Sequence, residues 1–238
     1  MKYVIVGAGA LGSILGGNLI RAGADVTMLA RGARATYLRD NGITLRGLVE
    51  DTIPCRVETD PAALGGADVV IVTVKTYQTA DAVAPLRHMR VGGVFSVANG
   101  VLKNRQLAEV FGEDAVLGSI AMVSGELLGD GAVKYTVNQL LSVGALPSGP
   151  SAAAQAIADS LNEAGVNAAV SETIQTDEWS KYVNWSGMMA LSVLTRLETY
   201  KFLSEPAAVR VAAKIMRETA ALARALNIPL SNEPPVAC

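Results

Sequence analysis

The stretch Tyr3-Val4-Ile5-Val6-Gly7-Ala8-Gly9-Ala10-Leu11-Gly12 constrains this chain more than any other. An apolar, β-branched run feeds a G-x-G-x-x-G, and a helix-like segment follows at once. Each glycine has its own physical role. Gly7 allows a tight strand-to-helix turn, Gly9 removes a side chain so that backbone can approach a pyrophosphate, and Gly12 lets the helix pack close to the strand. The new helix N-terminus offers unpaired N–H groups and a partial positive charge to phosphates. A glycine-rich structural turn and a secretory leader are the competing readings. Lys2, the apolar run and Ala22-Gly23-Ala24 imitate a leader. Against it, Gly7, Gly9, Gly12, Gly16 and Gly17 interrupt the apolar run, and Arg21 falls just before the supposed cleavage site. The spacing therefore predicts a dinucleotide site held by Gly7, Ala8, Gly9, Ala10, Leu11 and Gly12.

The second strand, expected over Asp25 to Leu29, decides which dinucleotide. An acid near the end of this strand commonly takes the ribose hydroxyls of NAD. Here the strand ends Leu29-Ala30-Arg31, with Arg34 just beyond, and Asp25 lies at the wrong end. A cation at that place suits the extra 2′-phosphate of NADPH. The alternative is that Arg31 and Arg34 merely solvate a loop.

Further strands alternate with helices. Val69 to Val74 is a continuous apolar run of the buried, parallel kind, ending in Lys75-Thr76. Val94 to Ala98 is another, ending in Asn99-Gly100. Ligands of open parallel sheets sit beyond the carboxyl ends of the strands, which makes Lys75 and Asn99 candidates for cofactor contact. A solvated lysine and an Asn-Gly turn are the bland readings. Gly42 to Val57 predicts a small strand insertion. Pro61 to Leu64, Gln78 to Leu86 and Leu107 to Phe111 predict helical pieces. Strands are expected at Ala115 to Val123 and Lys134 to Val143, separated by a Gly-rich turn over Gly125 to Gly131. A helix over Ala152 to Ala164 and a short strand over Asn167 to Val170 complete this part.

From about Thr173 the pattern is helical. The expected domains are 1–172, a dinucleotide-binding Rossmann-type parallel sheet, and 173–238, an all-helical domain. A first helix over Ile174 to Leu197 carries Trp179-Ser180-Lys181-Tyr182-Val183-Asn184-Trp185. Lys181 and Asn184 are three apart and share a face. A lysine there can protonate a developing alkoxide in carbonyl reduction, and Asn184 can orient the oxygen. Asp177 and Glu178 stand four and three residues earlier, the favourable order for a surface ion pair with Lys181. A second helix is expected from Ser204 as N-cap and Pro206 in the first turn through Leu226, closed by Asn227. A loop follows over Ser231 to Pro235.

Composition removes several classes. Of 238 residues half are hydrophobic, and the formal net charge is −2, which gives no footprint for nucleic acid or an anionic membrane. No apolar run reaches the ~20 residues needed to span a bilayer. Cys55 and Cys238 are far apart and match no metal spacing, so no metal and a cytoplasmic, reduced setting are expected. His88, the only histidine, lies in the polar segment Arg87 to Arg90 and reads as surface.

Taken together, Gly7 to Gly12, Arg31, Val74-Lys75, Asn99-Gly100 and Trp179-Ser180-Lys181 make a chain that resembles the ketopantoate reductases over nearly its whole length. The resemblance implies NADPH-dependent reduction of a 2-keto acid, with ketopantoate the leading substrate. It implies substrate between a Rossmann domain and a helical domain. In that reading Gly7 to Gly12 and Arg31 hold NADPH, Lys75 and Asn99 lie near it, and Lys181 protonates the substrate oxygen with Asn184 beside it. Glu218 falls where many members carry an acid. Three departures stand out. Trp185 occupies a position where members commonly carry asparagine, and Met189 replaces a later substrate-binding asparagine. Members also usually continue for dozens of residues, with a further helix that supplies a serine and a catalytic glutamate, and that glutamate does not map onto a sequence that stops at Cys238. A second subunit, giving a homodimer, would cover apolar surface left bare. A reductase for a bulkier apolar 2-keto acid, and a non-catalytic NADP-binding regulator, remain as alternatives.

Overall fold

The computed structural model describes residues 1–232 and Pro234. Cys238 and part of the C-terminal loop lie outside the described residues. The elements in order are β1 (Lys2–Val6), α1 (Ala10–Arg21), β2 (Asp25–Leu29), α2 (Gly32–Asn41), β3 (Ile43–Gly47), β4 (Asp51–Ile53), β5 (Arg56–Glu58) and β6 (Ala67–Val72). Then come α3 (Thr79–Val83), β7 (Val91–Ser96), α4 (Lys103–Phe111), β8 (Leu117–Leu127), β9 (Val133–Ala145), α5 (Ala152–Glu163) and β10 (Ala168–Val170). The chain ends with α6 (Ile174–Thr195), α7 (Thr199–Leu203) and α8 (Pro206–Ala225). Contacts divide it into two compact units, 1–174 and 175–238.

The first unit is built on a parallel sheet of order β5-β2-β1-β6-β7. Side chains of a strand alternate between faces. In β1, Tyr3 and Ile5 enter one buried cluster with Ile14, Leu15, Leu19 and Phe95. Val4 and Val6 enter another with Val70, Val72, Leu86 and Leu107. Both faces are therefore covered, which is why these strands read as unbroken apolar runs. The expected parallel-sheet domain is observed.

The first unit also holds a second, mixed sheet. The long β9 pairs antiparallel with β8 along one edge, and parallel with β3 and β10 along the other. α1 fits between the two sheets because it presents no side chain at two points. A Cβ on Gly16 would lie 2.6 Å from Met28 Sδ, and one on Gly17 would meet Ile43, Leu45 and Ile53.

Two local expectations differ from the structure, and α2 was not anticipated. Residues 125–127, expected in a turn, continue β8, and the turn spans Leu128 to Ala132. Gly125 is glycine for packing, since its Cβ would meet Ile14 Cδ1 at 2.6 Å and Lys134 O at 2.7 Å. The segment after Arg31, to which the sequence assigns no element, forms α2, whose buried residues are Ala35 and Leu38. Ser204 does not cap α8. It closes the short α7 and donates its hydroxyl to Tyr200 O at 2.8 Å, while Glu205 takes the N-cap.

The second unit is helical. Gly187 of α6 lies against the α8 backbone, where a Cβ would stand 2.6 Å from Ala212 O. Val183, Leu191, Phe202, Ala212, Met216 and Ala220 form its core.

Candidate active site

The carboxyl ends of β1, β2 and β6 open onto a cavity of about 380 Å³, within the ~300–1,000 Å³ usual for small-ligand sites. Gly7, Ala8, Gly9, Ala30, Arg31, Thr73, Lys75 and Gln78 are among its lining residues. The sheet puts them there because the loops after three adjacent parallel strands emerge on the same side.

The three glycines of the motif are required for different reasons. Gly7 has φ of +99°, and a Cβ would come within 2.7 Å of Val74 Cγ1. Gly12 is packed against the loop it follows, since a Cβ would fall 2.1 Å from Gly7 O. A Cβ on Gly9 would meet nothing within 4 Å. The bareness at Gly9 serves no internal packing. It leaves room beside the backbone for a ligand.

The electrostatics favour an anion. α1 has Gly9 as N-cap, no side-chain cap and no acid in its first turn. Its first N–H groups and the positive end of its dipole are left to an incoming group. Thr73 buttresses the loop, its hydroxyl donating to Gly7 O at 2.8 Å. Arg31 is exposed at the rim of the cavity, at the N-cap of α2. Asp25 is at the opposite end of β2, paired with Arg56 at 2.9 Å. Arg34, expected to offer a second cation, lines the cavity too, but its guanidinium is tied to protein oxygens. Its Nε donates to Ala8 O at 2.7 Å, Nη1 to Gly131 O at 2.6 Å and Nη2 to Ser13 Oγ at 2.9 Å. The donor set around the cavity thus fits a phosphate-bearing dinucleotide.

Lys75 is exposed at the cavity wall and opens a short helical turn. Asn99 is exposed too, and its carbonyl accepts the Thr76 hydroxyl at 2.8 Å, which joins the loops after β6 and β7. Lys103, at the start of α4, is 3% exposed. Its ammonium donates to Ser96 O and Ser119 O, tying β7 to β8. Sequence reasoning missed Lys103, because a lysine at a helix start reads as solvated. Thr73 carried a usable signal, a lone hydroxyl at the end of an apolar strand.

In the second unit, Lys181 is half-buried on α6 and Asn184 is exposed. Trp185 and Met189 are 45% and 44% exposed. Lys181, Asn184 and Trp185 share a helix face by their spacing. Trp179 is buried and meets Tyr182 edge-on, with ring centroids 6.1 Å apart. Glu218 is exposed on α8.

Groups set aside from the chemistry have structural uses. The His88 ring nitrogens each lie 3.0 Å from a carbonyl oxygen, of Pro85 and of Leu64. Cys55 is half-buried, and burial pushes its thiol up, with Arg34 pulling weakly the other way. Among the described residues no group of three or more His, Cys, Asp or Glu side chains is placed to hold a metal ion. None of the described helices is long and apolar enough to cross a membrane.

Two family models match the chain. "Ketopantoate reductase PanE/ApbA" covers residues 3–148, and "Ketopantoate reductase PanE/ApbA C terminal" covers residues 173–237. The chain belongs to the ketopantoate reductase family. Its relatives include the 2-dehydropantoate 2-reductases of Pyrococcus horikoshii and Archaeoglobus fulgidus. The first is 27% identical over 92% of this chain and 72% of its own length. The second is 29% identical over 91% of this chain and 72% of its own. Among solved structures, a PanE/ApbA family ketopantoate reductase from Ralstonia eutropha superposes with a TM-score of 0.88 at 27% identity, covering 98% of this chain and 77% of that one. The ternary structure of D-mandelate dehydrogenase with NADH and anilino(oxo)acetate shares the fold, with a TM-score of 0.86 at 23% identity, covering 97% and 76%. As a ketopantoate reductase family member, the chain is an oxidoreductase acting on a CH–OH group with a pyridine nucleotide, of the keto-acid-reducing kind.

Proposed function

We propose that this ketopantoate reductase family member reduces a 2-keto acid to the 2-hydroxy acid with NADPH, and that ketopantoate is its substrate. The bare Gly9 backbone at the uncapped start of α1, with Arg31 at the cavity rim, carries the reading. Gly7 to Gly12 take the pyrophosphate, and Arg31 takes the 2′-phosphate, where β2 ends without a carboxylate. Lys75 and Asn99, at the ends of β6 and β7, bind toward the ribose and nicotinamide. Bound NADPH supplies the hydride to the carbonyl carbon. Lys181 holds the proton that the carbonyl oxygen receives, and its positive charge opposes the charge developing there. Asn184 orients that oxygen from the same helix face.

A bulkier apolar 2-keto acid is the second reading. The exposed Trp185 and Met189 beside Asn184 favour it, since they offer apolar area where a small polar substrate has little to gain. The cytoplasm is the proposed location, and a homodimer the proposed assembly.

Initial rates with ketopantoate and a panel of aliphatic and aromatic 2-keto acids, each with NADPH and NADH, test the proposal. Keto-acid-dependent NADPH oxidation is expected, and Arg31→Ala should weaken NADPH binding far more than NADH binding. Equal losses for the two cofactors would remove Arg31 from the 2′-phosphate site. No turnover with any keto acid, beside tight NADPH binding, would overturn the reductase reading.

A further inference from the structure

We propose that Arg34 is a positioning residue for the dinucleotide: it aims the glycine loop and takes no part in recognising the 2′-phosphate. The proposal rests on the reading of the cavity as a dinucleotide site.

Ala8 lies between Gly7 and Gly9, and its carbonyl belongs to the peptide unit that ends in the Gly9 N–H. A trans peptide is planar, with C=O and N–H pointing in opposite directions. Whatever holds the Ala8 oxygen therefore also sets the direction of the Gly9 N–H. Two donors hold it, Arg34 Nε at 2.7 Å and Ser13 Oγ at 3.3 Å. With the oxygen drawn toward α1 and α2, the Gly9 N–H is directed the other way. At Gly9 a side chain would meet only open space.

The guanidinium is itself over-determined. Nη2 donates to Ser13 Oγ, which links the two donors to Ala8. Nη1 donates to Gly131 O in the turn between β8 and β9. The guanidinium carbon sits 5.0 Å from the centroid of the Tyr37 ring. That ring also limits the turn, because a Cβ on Gly131 would stand 2.3 Å from Tyr37 Cε2. One rigid fork thus joins the glycine loop, the first turns of α1 and the β8–β9 turn, beside which Leu127 lines the cavity. Each of the three nitrogens already donates one of the five guanidinium N–H bonds to a protein oxygen, whereas Arg31 on the same cavity wall is exposed, so in this proposal the 2′-phosphate goes to Arg31. A lysine offers a point charge without the fork, so it can replace one of these contacts but not the set.

The test compares Kd values for NADPH and NADH, by ligand fluorescence, in the wild-type chain and in Arg34→Lys, Arg34→Met, Ser13→Ala and Arg31→Ala. Circular dichroism and thermal unfolding identify the variants that remain folded. Arg34→Met should weaken both cofactors equally, by about tenfold, the equivalent of one charge-assisted hydrogen bond of about 1.4 kcal/mol. Arg34→Lys should fall between wild type and Arg34→Met. Ser13→Ala, which leaves Arg34 in place, should show a smaller loss with the same equality. Unchanged Kd values in folded Arg34 variants would overturn the proposal by making the residue purely structural. A loss confined to NADPH would overturn it by making Arg34 a 2′-phosphate ligand. Wild-type protein that binds neither cofactor would remove the dinucleotide reading, and the Arg34 proposal with it.

Discussion

The glycine loop after β1 and the exposed face of α6 present chemistry in opposite ways. In the loop the groups proposed to bind are backbone N–H donors, and packing fixes them. Gly7 and Gly12 have no space for a side chain, and Thr73, Ser13 and Arg34 hold the carbonyls. On α6 the groups proposed for chemistry are side chains, Lys181 and Asn184, with Trp185 and Met189 largely exposed beside them. A change in the loop strains the scaffold that presents it. A change on the helix face alters what is presented and leaves the scaffold intact.

The difference is first a matter of stability. Ile71 is fully buried in the middle of the parallel sheet. Ile71→Ala should cost about 2–5 kcal/mol in denaturant unfolding. Trp185→Ala, at an exposed position, should stay within about 0.5 kcal/mol while shifting preference among keto acids. A large stability loss at Trp185 would break the comparison.

Gly9→Ala sharpens it. With nothing within 4 Å of the added methyl, unfolding should move by less than about 1 kcal/mol. Dinucleotide affinity should still fall at least tenfold, because the methyl occupies the approach of the pyrophosphate. Retained affinity in calorimetric titration would show that the ligand does not approach there.

The smallest effect is expected at Tyr135, 2% exposed, whose hydroxyl is buried with no hydrogen-bond partner among the described residues. Tyr135→Phe should be neutral or slightly stabilising at pH 7, since it removes an unsatisfied polar group. Burial pushes the Tyr135 phenol up to about 12, against about 10 in the unfolded chain. The contribution is complete below pH ~10 and is lost as pH rises toward 12, where the unfolded state releases the proton first. The Phe variant should therefore lose less stability across that range, as followed by urea midpoints.

The sequence made the parallel sheet legible because burial on both faces writes itself as unbroken apolar runs, in β1 and β6 above all. The glycine spacing made the loop legible, since each glycine answers a separate steric demand. α2 was hidden because few of its residues are buried and the rest are polar. α7 was hidden because five residues are too short for periodicity to register. Gly125 misled because a glycine required by packing looks in sequence like one required by a turn. The candidate residues Lys75, Asn99 and Lys181 stood out by type and place. The roles of Arg34 and Lys103 did not, because both depend on carbonyls distant in the chain.

The central claim is that α6 supplies chemistry and the glycine loop supplies binding. Turnover of ketopantoate by Lys181→Ala, measured beside a direct NADPH titration of the same variant, separates the two most directly. The account predicts a fall in kcat of about 10²- to 10⁴-fold with the NADPH Kd unchanged. Turnover that survives the substitution, or falls only as far as NADPH binding falls, would contradict it.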